Sequence, residues 1–171
     1  ATENAIVFHG KFKTKDKQAI FNKVYESFKA GGTQTFDVLR SGPIVQAALN
    51  ITCSQMTSEF TLAENFLQRL GRLDRFGTSQ TVNQYTVAVP SVIPESNGKI
   101  TCNCARFLNA NNSYRSAFAW YEFLQNNLTE QPLTINEIYQ LYEAFYQSNQ
   151  GQAAVEQDLI TALKESVKVI V

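Results

Sequence analysis

Over residues 5–89 short extended runs and amphipathic helical runs take turns, and this alternation restricts the fold more than any other feature of the chain. Ala5-Ile-Val-Phe-His9 is short, apolar and closed by Gly10, as a buried strand is. From Asp16 to about Lys29, Ile20, Val24 and Phe28 recur every fourth residue, with Phe21 and Tyr25 widening the face, which predicts a helix ended by Gly31-Gly32. Thr35–Arg40 reads as a second strand, Pro43–Leu49 as a short helical turn, and Ile51–Met56 as a third strand. Thr61-x-x-Glu64 has the capping-box spacing and predicts a helix to about Leu70, before a fourth strand over Tyr85–Val89. The order predicts an α/β fold with a mainly parallel sheet and helices packed on it.

Beyond Pro90 a loop, Ser91–Gly98, leads to one more strand candidate over Lys99–Phe107. The chain then becomes helical and aromatic. Tyr114, Phe118, Tyr121 and Leu124 form one stripe; Ile138, Tyr142 and Phe145, behind a Thr134-x-x-Glu137 capping box, form a second; Val155, Leu159, Leu163 and Val167 form a third. Such stripes are read as packing faces. The expected organisation is therefore an α/β domain over residues 1–107 and a helical C-terminal extension over 108–171.

The formal charge is zero and 44% of residues are hydrophobic, so the chain can bury a core and any polyanion must be met by a local patch. Lys11, Lys13, Lys15, Lys17 and Lys23 make such a patch around the start of the first helix; a phosphate-contacting rim and a solvated charge run fit them equally. Three cysteines do not make a disulfide framework. Cys102 and Cys104 lack the second pair or histidines that zinc requires, His9 being the single histidine, so no metal site is expected and they read as thiols on one side of a strand. No apolar run is long enough to span a bilayer and no signal-peptide pattern opens the chain, which predicts a cytoplasmic protein with no membrane partner.

The stretch Gln68-Arg-Leu-Gly-Arg-Leu-Asp-Arg75 stands apart from this framework. It gathers arginines at a helix C-terminal end, where the dipole favours cations, beside Gly71, which lets another backbone approach. Permanently charged planar forks suit a γ-phosphate whose oxygens gain negative charge during transfer. A solvated basic face would carry the same charges. The full pattern, Gln-x-x-Gly-Arg-x-x-Arg followed by Phe76-Gly77, resembles motif VI of superfamily 2 helicases. Phe8-His-Gly-Lys-Phe12 with Asp16-Lys17 is similar to motif IV, and Gly42 to Ile51 resembles motif V, so three motifs arrive in order. Within that superfamily the chain resembles the helicase-nuclease of type I CRISPR systems over residues 5–90, with nothing specific beyond Phe107.

The resemblance implies the second motor domain: a three-layer, RecA-like, mainly parallel sheet, leaving open whether it is complete at its N-terminus. It implies that Arg75 and Arg72 contact the γ-phosphate and that Gln68 positions it or the attacking water. Asn50 and Gly71 would lie at the nucleotide, with Asn50 near the ribose, while Lys11, Lys13, Ser41 and Gly42 would face the nucleic-acid strand. ATP and Mg2+ would serve the parent motor, held mainly by a first RecA-like domain of the same or a partner chain. Single-stranded DNA (RNA in another branch) and a CRISPR guide-RNA surveillance complex are the implied partners. The chain has no Gly-x-x-x-x-Gly-Lys-Ser/Thr loop and is expected to be part of a larger protein, inactive towards ATP alone. Motif V departs from the family: Gly42 stands where threonine is usual, Gln46 for glutamate, Ala48 for a small hydroxyl or glycine, and Asn50 for aspartate. Amides hydrogen-bond but form no ion pair. These changes favour a rival reading, a degenerate helicase-like module that docks onto a protein complex without catalysis; the intact motif VI opposes it.

Overall fold

The structure, a computed structural model, describes residues 4–42, 49–89, 95–96, 99–100 and 103–170. The elements are β1 (Ala5–Phe8), α1 (Thr14–Phe28), β2 (Val38–Ser41), β3 (Gln55–Glu59), α2 (Ala63–Leu70), β4 (Gln84–Ala88), β5 (Glu95–Ser96), β6 (Lys99–Ile100), α3 (Asn103–Ala110), α4 (Tyr114–Asn127), α5 (Ile135–Gln147) and α6 (Asn149–Ile170). By its internal contacts the chain divides into two compact units, residues 1–56 with 67–86, and residues 57–66 with 87–171.

In the first unit β1 and β2 pair in parallel, from Ala5 opposite Val38 to Phe8 opposite Ser41. Parallel neighbours need a crossover, and α1 supplies it. The helix lays Val24, Ile20, Phe21 and Phe28 against Ile6, Phe8, Leu49 and Ile51, so the expected four-residue stripe is the packed face. The glycine pair closes α1 as its sequence predicts. Gly31 takes φ +65°, and a side chain on Gly32 would meet the carbonyl oxygens of Glu26, Ser27 and Lys29 within 3 Å. β3 pairs with β4. Gln84 N donates to Ser54 O and Phe60 N to Ala88 O, partners that advance together along both strands, the parallel sense.

In the second unit the aromatic helices pack through two clusters. Trp120, only 2% exposed, sits among Ala63, Phe66, Phe123, Tyr142 and Phe145, with the Phe145 ring edge-on at 5.2 Å between centroids. Phe60, Leu108 and Ala117 form the other cluster, with Tyr114 and Tyr121 edge-on to Phe60. The Thr134–Glu137 capping box is present: Thr134 N donates to Glu137 Oε2 at 2.7 Å and Glu137 N to Thr134 Oγ1 at 3.3 Å. Those bonds from Thr134 hold the Glu137 carboxyl below its usual range. Helix α4 has no side-chain cap of its own. Instead Asp158, buried on α6, accepts from Ser116 N at 2.8 Å and Ser116 Oγ at 2.7 Å, serving one of the amide donors that a helix start leaves unpaired. The Tyr146 hydroxyl donates to Glu64 Oε1, and burial, followed by that carboxylate, pushes its ionisation upward.

Several sequence expectations are corrected. The third strand begins at Gln55 rather than Ile51, and Cys53 instead makes a single parallel bridge to Leu73. Among the described residues the strand expected over Lys99–Phe107 holds for Lys99 and Ile100, which pair antiparallel with Ser96 and Glu95. From Asn103 the chain is helical, because Ala105 and Leu108 are three apart and turn inward together. Cys104 is therefore on a helix, its thiol donating to Phe60 O at 3.2 Å, and Cys102 lies outside the described residues. Phe66 N donates to Leu62 O, so Leu62 caps α2, one residue after the predicted Thr61 cap. On α6 the stripe Leu159, Leu163, Val167 is exposed at 57–59%; the inward face carries Gly151, Ala154, Val155 and Asp158. On α4 the buried face centres on Ala117, Trp120 and Leu124, and Phe118 of the predicted stripe is exposed. The helical turn expected over Pro43–Leu49 lies, but for Leu49, outside the described residues, as do Gln46 and Ala48. So do residues 91–94 and 97–98 of the loop expected over Ser91–Gly98, while Glu95 and Ser96 within it are strand.

Candidate phosphate-facing turn and lysine rim

Helix α2 loses its regular ladder at Gly71. Gly71 N still bonds Leu67 O, but Arg72 N and Leu73 N reach back only three residues, to Arg69 O and Leu70 O at 2.9 and 2.8 Å. The tightened turn then meets the segment after Asn50: Cys53 N donates to Arg72 O at 3.0 Å and Asp74 N to Cys53 O at 2.8 Å. Asp74 sits at φ +42°, a left-handed position that aspartate tolerates better than most residues. Its carboxylate accepts from Thr78 N at 2.9 Å and Ser79 N at 3.2 Å, which closes the turn behind it.

This turn presents Arg75. Its backbone N donates to Thr52 Oγ1 at 3.1 Å, its Nε to Asn50 Oδ1 at 2.5 Å, and its Nη1 to Gly71 O at 3.2 Å. The structure thus brings together Asn50, Gly71 and Arg75, which the sequence places 25 residues apart at the extremes. Gln68 is on the last full turn of α2 with its side chain exposed, and Arg72 is half-buried with its carbonyl facing Cys53. Arg75 is exposed, and both its side-chain partners are neutral. Of the five guanidinium N–H groups, three, all on Nη1 and Nη2, have no acceptor among the described residues. Such a fork suits an anionic oxygen cluster. Among the described residues no three His, Cys, Asp or Glu side chains come together as a metal site would require.

Thr52, Cys53 and Asp74 were not singled out by sequence reasoning. Asp74 had a local signal, an aspartate three residues before a glycine, the signature of a side-chain-closed turn. Burial pushes the Cys53 thiol up to about 11, from 9.0. The neutral form is the folded one, so this contribution to stability is fully present below the ordinary thiol range and lost as pH climbs through the raised value. At pH 8, Cys53 in the folded chain is expected to react with a thiol alkylator roughly 100-fold more slowly than in the urea-unfolded chain; equal rates would place the thiol in solvent.

A second constellation lies where β1 and β2 end. His9 follows β1, and its ring lies against Gly42, on which a side-chain carbon would stand 3.1 Å from both Cδ2 and Nε2. Lys11 N donates to His9 Nδ1 at 3.1 Å, and Gly42 N to Phe8 O at 3.4 Å. His9 therefore links the lysine segment to Ser41-Gly42. Lys13 is the N-cap of α1 and provides no side-chain cap; Lys11, Lys13 and Lys15 are all exposed at this end.

The first unit is thus a parallel α/β arrangement that displays an arginine fork beside the amide of Asn50, and it is followed by a helical unit. Residues 1–78 match the family described as CRISPR-associated nuclease/helicase Cas3, C-terminal. Over this stretch, a little under half of its length, the chain is similar to that family. The solved structure of T. fusca Cas3 superposes with a TM-score of 0.71 at 18% identity, covering 96% of this chain and 19% of that one. T. fusca Cas3-ADP gives 0.72 at 19% identity, over 96% and 19% of the two chains. A CRISPR RNA-guided surveillance complex, pre-nicking, contains a chain matching at 0.64 and 17% identity, over 91% and 20%. The chain thus spans about a fifth of the length of these relatives, and at such identities the likeness concerns the fold. No curated protein matches the sequence. No helix among the described residues is long and apolar enough to cross a membrane.

Proposed function

We propose that this chain is the C-terminal part of an ATP-dependent DNA helicase of the CRISPR-associated kind, which unwinds target DNA for degradation in antiviral defence. The observation that carries it is Arg75: an exposed guanidinium on a closed turn, oriented by two neutral acceptors and keeping its charge. That fits a γ-phosphate. In this reading Arg75 and Arg72 face the phosphate, Gln68 lies beside it, and Asn50 keeps its side-chain NH2 for the ribose. ATP and Mg2+ are held mainly by a first motor domain; the nucleotide supplies the free energy that opens and closes the cleft. The first unit is then part of a three-layer RecA-like sheet, and residues 108–171 are a helical extension to the domain over 1–107. The setting is cytoplasmic. A guide-RNA surveillance complex is the recruiting partner.

Lys11, Lys13, Ser41 and Gly42 are the nucleic-acid face, with single-stranded DNA as the ligand. Cations crowd the positive end of α1, an unfavourable placement that a phosphate would relieve. Lys11→Glu with Lys13→Glu in the full-length protein is expected to weaken single-stranded DNA binding and to flatten its logarithmic salt dependence by about 0.7 per lost contact. An unchanged slope would assign these lysines to ordinary solvation.

A further inference from the structure

We propose that Asn50 is a positioning residue for Arg75: its side-chain carbonyl fixes the guanidinium by Nε and, being uncharged, leaves the cation to a phosphate. The inference rests on the reading of Arg75 as phosphate-facing. It starts from the 2.5 Å contact between Asn50 Oδ1 and Arg75 Nε, with Gly71 O taking one N–H of Nη1 at 3.2 Å. These two acceptors hold the near side of the exposed fork and leave the other N–H groups of Nη1 and Nη2 without an acceptor among the described residues. The backbone is fixed as well, through Thr52 Oγ1 and the Asp74-closed turn. An exposed arginine ordinarily loses considerable rotamer freedom on engaging a ligand, and here much of that ordering is already done.

The residue type matters as much as the geometry. A carboxylate at this position would bind the same Nε more strongly, as a charge-assisted bond, and would neutralise the fork. A phosphate would then have to compete with it. An amide orients without competing, so the acid-to-amide change tunes the fork instead of disabling it.

The test uses the full-length protein with Asn50→Ala, Asn50→Asp, Arg75→Ala and the Asn50→Ala/Arg75→Ala pair, reading ATP turnover and equilibrium binding of a non-hydrolysable ATP analogue. Asn50→Ala is expected to lower kcat roughly ten- to a hundredfold with KM little changed, the signature of a misaligned group. Asn50→Asp should weaken analogue binding about tenfold, and more so at low salt. In the Arg75→Ala background Asn50→Ala should leave kcat unchanged, and only its ribose contact should register, in analogue binding. Equal losses of kcat from Asn50→Ala in both backgrounds would overturn the proposal and leave Asn50 with a ribose or structural role alone. Wild-type turnover in Asn50→Ala alongside a dead Arg75→Ala would overturn it alone. Wild-type turnover in Arg75→Ala would remove the phosphate-facing reading, and the positioning role with it.

Discussion

Arg75→Ala is expected to lower the ATP turnover of the full-length protein by roughly 10³–10⁵, the range for losing an arginine that stabilises phosphoryl transfer. The turn that carries Arg75 is secured independently of its side chain. Asp74 holds Thr78 N and Ser79 N, Cys53 bridges Arg72 and Asp74, and Thr52 Oγ1 accepts from the Arg75 backbone. Truncation therefore removes a charged fork without unfolding its support, and the exposed position should keep the stability change within about 0.5 kcal/mol. Single-stranded DNA affinity should be nearly unchanged, since the lysine rim shares no residue with this turn. Turnover that survived while DNA binding collapsed would place Arg75 on the nucleic-acid face. Arg75→Lys tests the geometry: it keeps the charge but loses the planar fork and its bond to Asn50, so turnover should recover only in small part.

The first unit was legible in the sequence because its signals are local. A strand stopped by glycine, a four-residue apolar repeat and a glycine pair each act over a few residues, and β1, α1 and β2 formed close to their expected bounds. The Gln68–Arg75 stretch is local in the same sense: its glycine falls where α2 tightens and ends. What the sequence did not disclose was the strut across the chain. Nothing local says that Asn50 and Thr52 meet Arg75, since that contact depends on where Cys53 bridges Leu73.

In the second unit the helices were foreseen and their faces partly misjudged. Tyr142 and Phe145 pack as their spacing predicts, behind a genuine capping box. On α6 the larger residues Leu159 and Leu163 point outward, while Gly151, Ala154 and Asp158 take the inner face. The reason is bulk on the other side. Helix α4 brings Trp120 and Phe123, and α5 brings Phe145, so the room left for α6 suits small side chains and a hydrogen-bonded carboxylate. A periodicity argument ranks residues by hydrophobicity and cannot see that a partner has already filled the space.

Gly151→Ala follows from the same crowding and is expected to be the most damaging single-methyl change in the helical unit. α5 ends at Gln147 and α6 begins at Asn149, so the two helices turn through Ser148 with almost no connecting chain. Ser148 Oγ donates to Phe145 O at 2.7 Å and accepts from Gly151 N at 3.0 Å, which draws the first turn of α6 onto the last turn of α5. A Cβ on Gly151 would run into Phe145 O and stand 3.2 Å from Phe145 Cδ2. The first of these is backbone, so no rotamer change relieves it; α6 must lift or the Ser148 bonds must break. Either route disturbs Phe145, which packs edge-on to Trp120 at the centre of the cluster. Overpacking a tight site costs typically about 1–3 kcal/mol, and a backbone clash of this depth belongs at or above the upper end. Set against the ~0.4–1 kcal/mol that glycine-to-alanine changes gain where the site has room, the sign itself is the test. Trp120 is the chain's one tryptophan, so its fluorescence in a urea titration reports this unit directly. The midpoint should fall sharply in Gly151→Ala, while Ala153→Gly, at an exposed position on the same helix, should lose only about 1 kcal/mol. A midpoint for Gly151→Ala at or above the wild-type value would mean that α6 does not meet α5 as closely as Phe145 and Gly151 are placed here.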